Sequence, residues 1–531
     1  MGRWEKTWNY YHHYGAKALW LKVMKHRQVA FGDYDTWNGR HKMTKAEGDR
    51  QYNCLFPFMP KISIAVPTYE TPGKYLREML ESVKKQTYSN WELCIADGSE
   101  SDNVSNIVKE YLEVDDRIVF KALKQNQGIV GNSNAALQMC SGEYIGLLDH
   151  DDLLAENALF EVVKAINVDK NVDMLYTDED KVSSDSKNYF NPHFKTNFNI
   201  DLLRSNNYIC HFCVIKTDII KQIGGFQKEY EGAQDYDLIL RSVEKARCIV
   251  HIPKILYHWR THSSSTAEDP NSKLYAYVAG KKAISAHLKR CGLSGTVDML
   301  YYYGFYHVKY KLQGNDKVVV VICGQTDSKE VCRCKKNIIR TSGYSNLSFV
   351  EVATWSDLNT KDILGDYILF VDYRIRMITP DWMKEILALC QRKETGAVGI
   401  KIFDKNDETI YHAGIILGMS GYMFEGLPRE VSEPFHRDEL QQNVSGISRH
   451  FMLISKNYYE EIYKAENGTI NELKICDGLN ERQKAIVVDL KIQAYINELK
   501  RARDKKVIGK NREDFYYNTN FSLQAPGFTL D

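Results

Sequence analysis

The sequence lacks the features of membrane-spanning, secreted and nucleic-acid-binding proteins. No stretch of eighteen apolar residues occurs, which predicts that no helix spans a membrane. The N-terminus has no apolar segment of the kind that signal peptides carry. Basic and acidic residues balance at 70 and 69, so the chain as a whole has no electrostatic signature of nucleic-acid binding. No G-x-G-x-x-G follows a predicted strand, which disfavours a dinucleotide-dependent oxidoreductase.

Cysteine is present, but without the spacing of a zinc site or a disulfide framework. The twelve cysteines include one C-x-x-C, Cys210 with Cys213, and one C-x-C, Cys332 with Cys334. Neither motif has a second pair at zinc-finger distance, so we interpret all four as buried thiols. So many unpaired cysteines favour a reducing compartment, and we expect a cytoplasmic protein.

A chain of 531 residues is too long for one hydrophobic core. We place a first domain at 61–300 and a second at 317–490, between a helical N-terminal segment, 1–60, and a basic C-terminal helix and tail, 491–531. Residues 1–30 hold six Lys or Arg against one acidic residue, interleaved with aromatic residues. Such a segment suits peripheral contact with the inner face of a membrane, and equally a helix packed on the first domain.

Strand-like and helix-like segments alternate from Lys61 onward. KISIAVPTY has the β-branched run of a buried parallel strand, and YLREMLESVKKQT has the apolar spacing of an amphipathic helix. WELCIADGS and IVFKAL follow as strands on either side of the helix NIVKEYLEV. This alternation predicts a doubly wound α/β fold, in which ligands bind at the carboxyl ends of the strands.

The strongest chemical signal is GEYIGLLDHDDLL, where an apolar strand runs into Asp149, His150, Asp151 and Asp152. Two carboxylates at ~4 Å repel each other by about 1 kcal/mol in water and about 4 kcal/mol at an effective dielectric of 20. A fold tolerates such a cluster when a cation lies within it. Carboxylate oxygens suit Mg²⁺ or Mn²⁺ that also holds substrate phosphates. Taken alone, the string also fits a solvated acidic turn.

Other polar positions in the same unit suit a nucleotide-sugar site. Glu70 and Asp97 follow the first two strands, where a carboxylate can accept from a base N–H or a ribose hydroxyl. Gly128, Gly131 and Asn132 open a helix whose N-terminal amides favour phosphate. Each feature has a structural alternative, such as a turn after Asp97 or close packing at Gly131. Because these residues follow one another on a single predicted sheet, we favour a nucleotide-sugar site over the separate structural alternatives.

Residues from Lys61 to about Ala267 resemble the family 2 glycosyltransferases, inverting enzymes with the GT-A fold. The resemblance is closest to the bacterial subgroup that builds O-antigens, rhamnose-rich cell-wall polymers and capsules. The matching strings occur in order over about 200 residues: ISIAVPTYE, ADGSESD, NQGIVGNSNAAL, GEYIGLLDHDD, YTDEDK, GGF, EGAQDYDLILR and YHWRTHSSST.

The resemblance implies roles for the matching positions. Gly131 and Asn132 keep their predicted phosphate contacts. The resemblance implies donor binding by six further residues: Pro67, Thr68, Glu70, Asp97, Asp149 and Arg260. A divalent metal would be held by Asp151, Asp149 and His262. This sequence has Glu70 where the family often has Asn, and Gln234-Asp235 where an acidic pair is usual.

Asp235 is implied as the general base, and the residues support this role. It precedes the helical run YDLILRSVEKA, so the helix dipole favours its ionised form. An N-cap is the alternative for an aspartate at this place, unless Asp237 shares the cap. On the acceptor side we place Gln234 and Trp259, with the acidic run Asp178 to Asp180 (Asp178, Glu179, Asp180), which fits a solvated loop equally well.

The second domain resembles a degenerate copy of the first. Asp97 and Asp149 are 52 residues apart, whereas their counterparts Ala353 and Asp372 are 19 apart. A helix-strand-helix stretch is therefore missing, together with the phosphate-facing helix. ELKICDGLNERQ stands where the base motif would be. We expect a non-catalytic domain that packs on the first domain or grips the acceptor.

The sequence therefore predicts an inverting, metal-dependent glycosyltransferase with Mg²⁺ or Mn²⁺ as cofactor. Its donor would be a UDP- or dTDP-sugar, and its acceptor a hydroxyl of a growing bacterial surface glycan, lipid-linked at the membrane. Hexosyl and rhamnosyl transfer both remain open. The alternatives are a non-catalytic glycan-binding scaffold and a sugar-nucleotide nucleotidyltransferase, although PTYETPG lacks the G-x-x-T-R loop of the latter.

Overall fold

A computed structural model describes residues 34–262, 274–406, 408–429, 434–468, 470–497, 507–524 and 527–530. Two large β-sheets follow one another along the chain, each packed against helices. Residues 1–30, for which we expect a membrane or domain contact, lie outside the described residues. None of the helices within the described ranges is long and apolar enough to cross a bilayer.

The first sheet has nine strands. They are β1 (Ile62–Thr68), β2 (Trp91–Asp97), β3 (Ile118–Ala122), β4 (Tyr144–Leu147), β5 (Leu153–Leu154), β6 (Met174–Ser183), β7 (Tyr189–His193), β8 (Cys213–Lys216) and β9 (Ile249–Thr261). Their order is β3-β2-β1-β4-β8-β6-β9-β5, with β7 paired to β6. Every residue of β1 and β2 is buried, as the apolar runs predict for strands covered on both faces.

Ten α-helices accompany this sheet among the described residues. They are α1 (Tyr34–His41), α2 (Lys45–Tyr52), α3 (Gly73–Lys84), α4 (Asn103–Leu112), α5 (Gly128–Met139), α6 (Ala158–Val168), α7 (Ile200–Leu203), α8 (Thr217–Ile223), α9 (Gln234–Val243) and α10 (Leu274–Arg290). In α3 the buried residues are Leu76, Met79, Leu80 and Val83, the apolar stripe that its sequence predicts.

A hairpin of β10 (Gly295–Met299) and β11 (Tyr306–Tyr310) leads to the second sheet. Its strands are β12 (Val318–Cys323), β13 (Leu347–Val352), β14 (Tyr367–Asp372), β15 (Ile375–Met377), β16 (Thr395–Asp404), β17 (Ile410–His412), β18 (Gln442–Asn443), β19 (Phe451–Ser455) and β20 (Ala485–Ile496). Its helices are α11 (Lys329–Thr341), α12 (Trp382–Cys390), α13 (Lys456–Ala465) and α14 (Glu472–Glu481).

The second sheet repeats the topology of the first. The order β13-β12-β14-β19-β16-β20-β15 reproduces β2-β1-β4-β8-β6-β9-β5, and each shared pair keeps its parallel or antiparallel sense. Among the described residues β3 has no counterpart, because β13 is followed by two short 3₁₀ turns and then β14. The missing helix-strand-helix stretch, α4-β3-α5, is thereby confirmed.

Strand register also identifies equivalent positions in the two sheets. Val318 pairs with Leu347 and Tyr367, just as Ile62 pairs with Trp91 and Tyr144. Counting along these strands places Ala353 and Asp372 at the positions of Asp97 and Asp149. The correspondence predicted from the sequence is therefore confirmed.

The two domains share a buried, polar contact. Arg392 donates from its two terminal nitrogens to the Asp201 carboxylate at 2.6 and 3.0 Å, and Asn443 Nδ2 donates to Asp201 Oδ2 at 2.7 Å. Asn199 Nδ2 donates to the Asn443 carbonyl at 2.9 Å. One apolar cluster also includes residues of both sheets. The second domain thus packs directly on α7 of the first.

Two local predictions are corrected. The basic helix expected from about residue 490 is wrong as far as residue 496, because 485–496 form β20, an alternating strand paired with β16; residues 498–506 lie outside the described ranges. Of the four cysteines in the C-x-x-C and C-x-C motifs, Cys213 and Cys334 are buried as predicted, whereas Cys210 is half-buried and Cys332 is exposed.

Candidate active site

A cleft of about 650 Å³ opens at the carboxyl ends of the first sheet's strands. Five of the predicted site residues line it: Pro67, Asp149, Gln234, Asp235 and Trp259. Among the lining residues that sequence reasoning had not assigned to the site are Lys181, Cys210 and His211. The cleft therefore joins the acidic loop after β4 to the start of α9, although these segments are far apart in sequence.

The acidic loop places its carboxylates in different environments. The Asp149 side chain is 54% exposed. The surrounding cleft walls raise its pKa by desolvation, and the charges of Asp151 and Asp235 raise it further against the opposing effect of His211. Asp152 is buried, where it accepts from the Tyr257 hydroxyl at 2.5 Å and the Arg260 amide at 2.7 Å. Desolvation raises the pKa of Asp152 well above its usual value.

Asp151, in this acidic loop, forms a pair with His262. His262 Nε2 lies 2.8 Å from Asp151 Oδ2, and both side chains are partly exposed. A carboxylate with an imidazole is a donor set that fits a divalent cation, whose other ligands would come from diphosphate and water. The three predicted ligands do not form a closed protein site. Among the described residues, groups of three potential ligands within 4.8 Å occur elsewhere, at Glu244–His287–Cys291 and His307–Glu385–Asp489.

Arg260 is fully buried behind the acidic loop rather than in the cleft. Its Nε donates to the Asp151 carbonyl at 2.6 Å, and one terminal nitrogen donates to Ser186 Oγ at 2.6 Å. The other terminal nitrogen lies 2.8 Å from Glu78 Oε2, and the guanidinium lies over the Tyr75 ring. In this conformation it holds the main chain of Asp151. The predicted diphosphate contact would require it to leave these partners.

The predicted nucleoside positions form one hydrogen-bonded loop. Asp97 Oδ1 accepts from Thr68 Oγ1 at 2.9 Å and from Ser99 Oγ at 2.6 Å, and both Thr68 and Asp97 are buried. Glu70 is exposed, and its Oε1 accepts from the amides of Glu100 and Ser101 at 2.8 and 2.9 Å. The Ser101 hydroxyl and these amides lower the pKa of Glu70. Glu70 therefore shapes the loop beyond Asp97.

Asn132 connects this loop to the entry of α5. Its side chain is buried, accepts from the Gln127 amide at 3.1 Å, and packs so closely on Gly98 that a Cβ there would lie 2.5 Å from it. A Cβ on Gly131 would lie 2.4 Å from the Gln127 Cβ, so glycine is needed for packing at this turn. The N-terminus of α5 is thus held beside the end of β2, while a phosphate contact stays a prediction.

Asp235 lies in the first turn of α9 without capping it. The N-cap is Ala233, which makes no side-chain cap bond. Asp235 Oδ2 accepts from Asn207 Nδ2 at 2.9 Å and lies 3.7 Å from Cys210 Sγ. The expectation that Asp237 shares a cap is wrong, because Asp237 is buried and paired with Arg241.

Gln234 precedes Asp235 in this turn, and its Oε1 accepts from the Gly232 amide at 2.8 Å. Both Gln234 and Asp235 line the cleft.

The acidic run Asp178 to Asp180 is not a loop. All three residues lie within β6 and are buried. Asp180 accepts from the Tyr34 hydroxyl and lies 2.6 Å from His258 Nδ1, and Asp178 lies 2.7 Å from His251 Nε2. The solvated-loop interpretation is therefore wrong. Partners distant in sequence hold Asp178 and Asp180, and neither lines the cleft.

Glu179 instead leads to the cleft through His211. Glu179 Oε2 lies 3.2 Å from His211 Nδ1 and 3.3 Å from Lys195 Nζ. Burial alone would raise the pKa of Glu179, but Lys195, His193 and His211 hold it well below its usual value. Burial alone would lower the pKa of His211, but Cys210 and Glu179 raise it well above normal. His211 Nε2 then lies 3.8 Å from Asp149 Oδ2.

Comparison with known proteins agrees with this geometry. Residues 63–224 match the family model described as Glycosyl transferase family 2. The first domain is a family 2 glycosyltransferase domain. The GT-A fold that the resemblance implies for this domain is confirmed. The second domain, which follows in the chain, is the degenerate copy of that fold. The match ends before Asp235, Trp259 and His262, so in this glycosyltransferase domain their roles depend on geometry and motif resemblance.

Longer relatives extend the similarity into the second domain. An uncharacterized protein of Sinorhizobium fredii is 32% identical over 78% of this chain and 50% of its own length. The O-antigen biosynthesis protein RfbC of Myxococcus xanthus is 28% identical over 87% of this chain and 38% of its own length. A solved structure of S. aureus TarS 1–349 with UDP-GlcNAc covers 43% of this chain and 66% of that chain, at 20% identity and a TM-score of 0.35. The chain spans half or less of the length of these two curated relatives.

Proposed function

We propose that the chain is an inverting glycosyltransferase that moves a sugar from a UDP- or dTDP-sugar to a hydroxyl of a bacterial surface glycan. The observation that carries this proposal is that the carboxylates of Asp149 and Asp235 line one cleft at the carboxyl ends of the strands. The relative named for O-antigen biosynthesis supports a glycan acceptor. The proposal covers both hexosyl and rhamnosyl transfer.

We assign Asp235 the role of general base, and its contacts support the assignment. Its carboxylate is oriented by Asn207 and Cys210 and opens onto the cleft beside Trp259. We assign it the proton of the acceptor hydroxyl, whose oxygen then bonds to the anomeric carbon as the bond from that carbon to the diphosphate oxygen breaks. Attack opposite the leaving group inverts the anomeric configuration. Trp259 offers an aromatic face for stacking of the acceptor sugar.

Asp151 and His262 would hold Mg²⁺ or Mn²⁺. A bound metal would neutralise charge on the departing diphosphate as a Lewis acid. Arg260 keeps the Asp151 main chain in place from behind, so that the carboxylate points toward His262. Asp97 and Thr68 would receive the nucleoside at the end of β1 and β2, where Glu70 shapes the loop.

The second domain is non-catalytic in this proposal. Ala353 stands at the position of Asp97, and Asp372, at the position of Asp149, is bound by Arg374 through its Nε and a terminal nitrogen at 2.8 Å each. The helix that would face a phosphate, α5 in the first domain, has no counterpart among the described residues. In this proposal the described residues hold one working site, in the first domain.

Asp235→Asn tests the assignment. The amide keeps the size of the carboxylate but accepts no proton at neutral pH, so we expect turnover to fall about 10²- to 10⁴-fold while donor binding changes little. Transfer would be assayed with a panel of UDP- and dTDP-sugars and Mn²⁺, and donor binding followed by thermal shift. Asp218→Asn, an exposed position in α8, is the matched control. Wild-type turnover in Asp235→Asn would refute the base assignment.

A further inference from the structure

We propose that Asn518, which follows the second sheet in the chain, is a positioning residue for the catalytic cleft of the first domain. Its side chain is buried at 2% exposure. Nδ2 donates to Asp178 Oδ2 at 2.9 Å and to the Lys195 carbonyl at 2.8 Å. Both partners lie more than 300 positions earlier in the chain. The C-terminal segment thus completes the interior of the glycosyltransferase domain.

Lys195 is the residue through which Asn518 acts. Its amide donates to Asp178 Oδ1 at 2.8 Å, so Asp178 and Asn518 together hold both main-chain polar groups of Lys195. Its ammonium group is fully buried. It donates to the carbonyls of Ile209, at 2.8 Å, and His211, and lies 3.3 Å from Glu179. A lysine clamped at both ends therefore determines where the backbone of 209–211 lies.

The 207–211 loop carries the contacts that orient the cleft. Asn207 and Cys210 contact the Asp235 carboxylate, and His211 faces Asp149. A shift of Lys195 would move all three side chains together, because Lys195 Nζ contacts the loop at two carbonyls. This inference rests on the proposed function, since it gives Asp235 its role.

Removing the Asn518 amide would leave the Lys195 carbonyl and one oxygen of Asp178 without this donor in a buried site. The Lys195 carbonyl and the Asp178 carboxylate would move toward other donors, and the Lys195 side chain would shift with them. Misplacement of a reacting group by about 1 Å can cost on the order of 100-fold in rate. We therefore expect an effect on turnover without loss of donor contacts, which lie at β1, β2 and the acidic loop.

The experiment compares Asn518→Ala and Asn518→Asp with Gln524→Ala in the full chain. Gln524 is an exposed amide of the same C-terminal segment. The first measurement is hydrogen exchange of peptides covering 205–213, without substrate and below the unfolding temperature of each variant. The second is kcat and the donor KM. Asn518→Asp keeps the size of the side chain but presents a carboxylate to two acceptors.

We expect faster exchange in 205–213 and a kcat reduced on the order of 10- to 100-fold in both Asn518 variants, with the donor KM within about twofold of wild type. Gln524→Ala should match wild type in both measurements. Unchanged exchange in Asn518→Ala, or faster exchange with wild-type kcat, would overturn the inference. Wild-type behaviour of Asn518→Asp would do so too, because it would show that Asn518 only fills space.

The two proposals fail separately. Wild-type turnover in Asp235→Asn contradicts the proposed base. If Asn518→Ala behaves as wild type in exchange and kcat while Asp235→Asn is inactive, only the positioning role of Asn518 is contradicted.

Discussion

Replacing Arg392 with methionine should destabilise the contact between the two domains strongly. The Arg392 and Asp201 side chains are 2% and 0% exposed and share two hydrogen bonds at 2.6 and 3.0 Å. At an effective dielectric of about 20 their gross attraction is about 4 kcal/mol, much of which offsets the loss of hydration. Breaking the pair leaves the buried Asp201 carboxylate with Asn443 and the more distant Arg204 as partners, so we expect a loss of about 3 kcal/mol in the free energy of unfolding, the lower end for a broken buried ion pair.

The double variant Arg392→Met, Asp201→Asn separates the charge from the packing. It removes the stranded carboxylate, and more than half of the lost stability should return. Equilibrium urea unfolding measures each variant. Arg482→Met is the control, because the Arg482–Glu461 pair is 30% and 58% exposed and should contribute about 0–1 kcal/mol. An Arg392→Met loss no larger than the control's, or no recovery in the double variant, would refute the reasoning.

The penalty of Arg392→Met should also depend on pH. Burial alone would raise the pKa of Asp201, but Arg392 and Arg204 hold it below its usual value. In the wild type the stabilisation by Asp201 is therefore complete above about pH 4 and is lost as the pH falls through the folded-state pKa. Without Arg392, only Arg204 and Asn443 oppose the effect of burial, so the pKa of Asp201 rises. The penalty should then be largest near neutral pH and shrink as the carboxylate becomes protonated in acid.

Two further predictions concern the donor loop and the second domain. Glu70→Ala removes the carboxylate that receives the amides of Glu100 and Ser101, so the loop beyond Asp97 should loosen; donor affinity in thermal-shift titrations should fall several-fold with kcat at saturation preserved, and unchanged affinity would contradict the role given to Glu70. Asp372→Asn should leave transfer unchanged, because this carboxylate is bound by Arg374; a loss of activity in a folded variant would show that the second domain contributes to catalysis.

Much of the architecture follows from local patterns. The apolar runs of β1 and β2 and the stripe of α3 are short-range signals, so they were predictable from the sequence. The shortened interval between Ala353 and Asp372 likewise predicted the loss of α4-β3-α5, because a deletion on that scale removes whole elements. Even the register of the second sheet agrees with the counterparts chosen from sequence.

Side-chain environments were harder to predict, since they depend on distant partners. Asp178 and Asp180 belong to a charged run that suits a solvated loop as well as a strand. In the structure Tyr34, His251 and His258, far away in sequence, compensate their burial. No local signal marks them. Polar residues in a strand are read correctly only when the neighbouring strands are known.

In the cleft, too, some features were predictable from local sequence and others were not. The sequence alone determined that Asp97, Asp149 and Asp235 follow strands or open a helix, because strand ends and helix starts have local signatures. Three outcomes came from the packing of the whole domain: Asp235 does not cap its helix, Arg260 is buried behind Asp151, and His211 faces Asp149. It also placed Asn518 against Lys195, across 323 positions. These outcomes depend on burial and hydrogen-bond partners that only the packed sheets bring together.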